Sequence, residues 1–188
     1  MTPPKRSLEV LLMSLVMLAS TSMLRADEEK IWHVKAIAPD GTFLDVKAID
    51  KNGKTYGVKA IQNGDPHVLD IKALVDNKRM PVKMLISDDK YAPVKAIGDD
   101  GTIFGIKALT ADGQKLDVKG VRHSGNIIDI KAIGLHGELY GVKAISPEGV
   151  VFDVKGVKMS KDRVEGVVSG VQIEAHVKGL PQVSHTLN

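Results

Sequence analysis

The chain has 188 residues, with 26 Lys and Arg against 23 Asp and Glu, a formal net charge of +3, no cysteine and 4% aromatic residues. Without cysteine there is no disulfide framework and no lipid-modified cysteine anchor, so an exported chain of this kind must be held by packing. The scarcity of aromatic residues argues against a membrane-spanning barrel, which needs aromatic girdles around its apolar band.

The first 26 residues read as a secretory signal. Lys5 and Arg6 precede an apolar run from Val10 to Ala19, interrupted only by Ser14, and a polar stretch leads to Ala26. This run is short for a bilayer span, and the pattern predicts cleavage between Ala26 and Asp27, with the mature protein periplasmic or secreted; an uncleaved anchor helix is the alternative. Loss of Lys5, Arg6, Arg25 and Glu9 lowers the net charge from +3 to +1. A mature chain so close to neutrality gives no support to a nucleic-acid partner, and no transmembrane segment is expected in it. Residues 27–188 contain no linker composition and read as one domain, with regular repeats over 31–158 and a degenerate cap over 159–188.

A twelve-residue phrase recurs eleven times, centred on Lys35, Lys47, Lys59, Lys72, Lys83, Lys95, Lys107, Lys119, Lys131, Lys143 and Lys155. Each lysine follows Val or Ile and, except at Met84, Gly120 and Gly156, precedes Ala. Next comes Ile, Leu or Val, and a large apolar residue stands three places before the lysine in every copy but the one with Ala92. Between copies lie Asp40-Gly41, Asn52-Gly53, Asn63-Gly64, Asp100-Gly101 and Asp112-Gly113, the chemistry of tight hairpin turns. One β-prone run and one turn per copy predict an all-β fold. The expected architecture is an antiparallel up-and-down meander of about 11–13 strands, folded into a two-sheet sandwich or a barrel-like arc.

An even repeat raises a parity problem. In the usual three-residue hairpin each lysine faces the residue two places before the next lysine, so both neighbours of a strand would claim the same backbone edge. A bulge at every Lys-Ala pair would resolve this and turn Ile49 inward; alternately flipped strands are the other solution. Pro81 and Pro93 fall in the least regular segment, Val75 to Ala92, and predict a break or strong bend there.

The same register interleaves charges in one row (Lys35, Asp45, Lys59, Asp70, Lys83, Pro93, Lys107, Asp117, Lys131) and pairs Lys119 with Asp129 and Lys143 with Asp153 in another. Such pairs fix register and keep the surface soluble. Where aspartate is missing, Lys47, Lys72 and Lys95 are candidate ligand-binding residues for an anionic glycan. His33 and His176 occupy equivalent slots in the first copy and in the echo Ala175-His176-Val177-Lys178-Gly179-Leu180; they read first as two outward edge residues, and the alternative is that closure of the sheet brings their strands together. Residues Val164 to Val167 look like an eroded copy with Glu165 in the lysine slot.

The repeats, the signal segment and the ending His176 to Gln182 resemble a family of small exported bacterial proteins of unknown function. The resemblance implies no activity. No nucleophile motif, phosphate-cradling loop, cofactor motif or metal-ligand spacing is present, so no catalytic, cofactor or metal residue is assigned. The expectation is a non-enzymatic structural or binding module of the cell envelope whose partner is a glycan or a protein. A glycan-acting hydrolase sited in residues 75–92, around Asp88 and Asp89, is the alternative.

Overall fold

The computed structural model describes residues 29–182; the expected signal segment and its expected cleavage site lie outside the described residues. These residues form thirteen strands and no helix: β1 (Lys30–Ile37), β2 (Phe43–Ile49), β3 (Thr55–Gln62), β4 (Leu69–Val75), β5 (Lys78–Leu85), β6 (Ala92–Ile97), β7 (Ile103–Leu109), β8 (Lys115–Ser124), β9 (Ile127–Ile133), β10 (Leu139–Ile145), β11 (Val151–Val157), β12 (Gly166–Val168) and β13 (Val171–Pro181). All pairings are antiparallel and belong to one sheet that closes on itself. The all-β meander is therefore present, with one strand per repeat.

Within β2 the alternation is uninterrupted; register shifts occur in β8 between Gly120 and Arg122 and in β13 between Ile173 and Ala175. Leu44, Val46 and Ala48 point inward and are 6%, 3% and 0% exposed, whereas Asp45 and Lys47 point outward. The ladder from Asp45 to Ile49 against Leu109 to Gly105 runs without a shift. No bulge exists at the Lys47-Ala48 pair, contrary to the sequence expectation, and Ile49 keeps the lysine's side of the strand, although it is buried there as expected, at 9% exposed.

The parity conflict is resolved by sharing one edge between two neighbours. The first half of β2 pairs back with β1 (Asp45 opposite Lys35) and its second half pairs forward with β3 (Lys47 opposite Gly57). Both neighbours thus lie on the same side, one after the other, as an even repeat requires. The second half of β3 then returns to the first half of β1, with Lys59 opposite His33. Three strands close into a triangular cluster.

The pattern is repeated. A second cluster joins β4, β5 and β13, a third joins β6, β7 and β8, and a fourth joins β9, β10 and β11. The free edge of each strand forms a further ladder with a strand of another cluster: β1–β10, β2–β7, β3–β4, β5–β6, β8–β9 and β11–β13. Four clusters, each joined once to every other by these six ladders, have the connectivity of a tetrahedron. Only β12 stands outside this closure, paired with β13 alone. The eroded copy is an edge hairpin, and the echo around Lys178 supplies the twelfth full member.

Two hairpin types follow. Inside a cluster the turn is the predicted one: Asp50 N–H donates to the Lys54 carbonyl (3.1 Å), Gly53 N–H donates to the Asp50 carbonyl (3.1 Å), and Gly53 has φ +85°. Between clusters, lysine faces lysine, as at Lys59–Lys72, Lys83–Lys95 and Lys119–Lys131. The expected partners Asp70, Pro93 and Asp129 are displaced by this second register. The sheet has no break at Pro81 and Pro93. They flank the β5–β6 ladder, which spans only Val82–Met84 against Val94–Ala96, so neither proline has to donate to it.

Twelve Val or Ile side chains, one from each full strand, converge on a central void of about 10 Å³, too small and too apolar for water. Around them pack the large residues, including Trp32 edge-on to Phe152 (4.8 Å) and Tyr56 edge-on to Phe104 (5.8 Å). The exceptions to the repeat consensus meet at one place. Met84 lies opposite Ala175, Ala92 lies opposite Gly120, and the Met84 sulfur occupies the space beside Gly120 and Gly156. A Cβ on Gly120 would fall inside the contact distance of that sulfur. One large residue and several small ones thus replace the usual packing.

Candidate anion-binding clusters

Each full strand presents outward its lysine and the residue two places before it. Inside a cluster these groups meet cyclically, each lysine opposite the preceding slot of the next strand. In the first cluster Lys35 faces Asp45, Lys47 faces Gly57 and Lys59 faces His33. In the second Lys72 faces Pro81, Lys83 faces His176 and Lys178 faces Asp70. In the third Lys95 faces Gly105, Lys107 faces Asp117 and Lys119 faces Pro93. In the fourth Lys131 faces Gly141, Lys143 faces Asp153 and Lys155 faces Asp129. Three clusters therefore set three lysines against one aspartate, and the fourth sets three against two.

The opposed aspartates are engaged. Lys35 binds Asp45, Lys107 binds Asp117, Lys143 binds Asp153, Lys155 binds Asp129 at 2.5 Å and Lys178 binds Asp70. Burial would raise the Asp70 and Asp117 carboxyls, but the hydrogen bonds from Lys178 and Lys107 and the surrounding lysine charges hold both below their ordinary range. Burial likewise opposes the Lys155 ammonium, yet Asp129 and Asp153 leave it raised.

Three lysines without an opposed aspartate, Lys59, Lys83 and Lys95, are shifted the opposite way. Burial and then Lys107 and Lys119 depress Lys95, and burial with Lys47 and Lys35 depresses Lys59. Lys83 is pushed down to about 8 by burial, then by Lys178 and Lys72. Its Nζ lies 2.6 Å from His176 Nδ1, and Lys59 Nζ lies 3.0 Å from His33 Nδ1. His176 is lowered by burial first and by Lys83 next; His33 is lowered first by the Lys59 charge. Both imidazoles are held neutral at pH 7 and offer a nitrogen to a lysine.

The candidate lysines Lys47, Lys72 and Lys95 do not form one row. They fall in the first, second and third clusters, the three with a single aspartate. Lys47 and Lys72 reach only the far oxygens of Asp45 and Asp70, at 3.4 and 3.8 Å. Lys83 and Lys178 are missed by the sequence reading, although Pro93, opposite Lys83 in the uniform register, already lacks an acceptor and the echo at residues 175–180 signals a twelfth lysine. The two histidines do not meet, since β1 closes on β10 rather than on β13.

Elsewhere the carboxylates are occupied or exposed. Asp88 is bound by Arg163, and Asp89 N–H donates to the Ser87 hydroxyl in a surface turn. A depression of about 280 Å³ beside the β4–β5 turn holds Asp76, Asp99 and Asp100; Lys54 binds Asp76 at 3.3 Å, Lys78 lies 3.9 Å from Asp99, and Asp100 accepts from Thr102 N–H. A wider depression, about 900 Å³, opens beside the fourth cluster between Arg122, His123 and Pro181. No group of three or more His, Asp or Glu among the described residues is placed to hold a metal ion. No helix among them is long and apolar enough to cross a membrane.

Residues 28–180 match the model of a family described as "Family of unknown function (DUF7486)". Comparison with curated proteins and with solved structures found no match.

Proposed function

The chain belongs to that family of unknown function, and we propose that its mature form is an exported, non-enzymatic module that binds an anionic polymer of the cell envelope, a polysaccharide in the first instance. One observation carries this reading. The slot opposite a lysine accommodates aspartate, as Asp129 and Asp153 do together in the fourth cluster, yet the other clusters hold one aspartate each. Lysines left in excess at several vertices of a closed body suit a ligand long enough to touch more than one vertex. Weak contacts at each would sum through effective concentration and weaken with salt.

The test is binding of an acidic polysaccharide to the mature chain by calorimetry at low and high salt. Replacing Lys47, Lys72 and Lys95 together by Gln is expected to weaken binding at least about tenfold, because three separate attachment points are lost. Lys131→Gln, in the fourth cluster, is expected to change little. Equal binding by the triple variant and the parent would refute the proposal.

A further inference from the structure

We propose that the second cluster is a seat for one tetrahedral oxyanion, a phosphate or sulfate group, held on the approximate three-fold axis by Lys72, Lys83 and Lys178 with His176 beside it. The inference rests on the reading of the lysine clusters as anion-binding surfaces and adds the ligand group and its place. Three ammonium groups drawn from three strands around one axis match three oxygens of such an anion, and lysine binds these groups as a compact point charge.

The neighbouring groups leave the position open for an anion. Both Asp70 oxygens are engaged, one by Lys178 and the other by Lys72 at 3.8 Å. Pro81, opposite Lys72, brings no acceptor. Lys83 is left with His176 Nδ1 at 2.6 Å as its hydrogen-bond partner among the described residues, which uses one of its three protons. Across the ladder it faces Lys95, and Glu165, the other acid near His176, accepts from Met159 N–H, Ser160 N–H and the Ser160 hydroxyl. The first cluster repeats the lysine–histidine contact at Lys59 and His33, but there burial is not the leading influence on the imidazole. In the second cluster it is. The Asp70 charge favours the Lys83 ammonium but is outweighed by burial, Lys178 and Lys72; a partly buried cation in this balance weakens the fold, and a bound anion restores the lost stability.

Ionisation gives the site a pH signature. Lys83 is depressed to about 8 in the free protein, so its charged form, which an oxyanion requires, is gained as pH falls from 9 to 7. Sulfate stays dianionic over this range, which assigns the dependence to the protein. Bound anion should raise both Lys83 and His176.

The experiment titrates inorganic sulfate, and separately inorganic phosphate, into the mature chain labelled at lysine Cε and histidine ring carbons, read by NMR at pH 7 and pH 9. Saturable shifts at Lys83 and His176 are expected, weaker at pH 9 for sulfate. Lys83→Met should weaken binding at least about tenfold, the usual effect of losing a hydrogen bond to a charged group. Lys83→Arg should retain binding, and Lys131→Met should leave it unchanged. Thermal melts establish that each variant is folded. Absence of saturation at Lys83 and His176, equal response at all four clusters, or unimpaired binding by Lys83→Met would overturn the site. Polysaccharide binding without any sulfate or phosphate response would overturn it as well, while leaving the multivalent reading intact.

Discussion

Lys83 shows most clearly what the fold does to a single residue. Its ammonium lies 2.6 Å from His176 Nδ1, and burial, followed by the charges of Lys178 and Lys72, lowers it to about 8 from an ordinary value of 10.5. A lysine whose folded value is depressed penalises the native state in full below that value, and the penalty fades only as pH rises on to the unfolded value. Between pH 8 and 10.5 the unfolded chain binds more protons at this residue, so its contribution to stability rises with pH across that window. Chemical denaturation of the ligand-free protein should show this rise, and Lys83→Met should flatten it. The same variant should be as stable as the parent at pH 7 or more so, by up to about 1 kcal/mol, since it removes a partly buried cation on which burial and two lysines outweigh Asp70. A clear loss of stability in Lys83→Met would mean that the His176 contact at 2.6 Å outweighs the desolvation.

At the scale of the strand, the departures from consensus form one packing unit. Gly120→Ala forces a methyl against the Met84 sulfur and should cost about 1–3 kcal/mol, the usual range for overpacking. In a Met84→Ala background the same change should cost far less, giving a coupling of about 0.5–3 kcal/mol in a double-mutant cycle. Additive effects would contradict the shared site. Much of the strand was legible in the sequence: its length, the hairpin turn at Asn52-Gly53, the inward Leu44 and Val46, and the pairing of Lys35 with Asp45 and of Lys107 with Asp117. The bulge was not there because the parity argument assumed that one neighbour fills one whole edge. Halving the edge between two neighbours satisfies the same hydrogen-bond rule with no inserted residue. The alternation of two hairpin registers was illegible for a related reason. Asp70, Pro93 and Asp129 look equivalent to Asp45 in the sequence, and only the closure of three strands decides which lysine each one meets.

For the whole molecule, closure removes the liability of a long repeated sheet. Among the described residues, twelve of the thirteen strands are paired along both edges, and β12 is a three-residue edge. The same closure gathers outward lysines into four rings of unequal charge, and the functional proposals depend on it. The absence of cysteine permits a direct test. Lys47 of β2 and Lys107 of β7 are directly opposed across a ladder between clusters, where paired Cα atoms lie about 4.5–5.5 Å apart, within reach of a disulfide. In an open meander, β2 and β7 would be separated by about 24 Å, five strand spacings. The account predicts that Lys47→Cys with Lys107→Cys, oxidised under dilute native conditions, forms an intramolecular disulfide in near-full yield by mass spectrometry. It predicts the same for His33→Cys with Lys59→Cys, which tests closure of the first cluster. Two free thiols in either folded variant would contradict the closure and, with it, the existence of the lysine clusters.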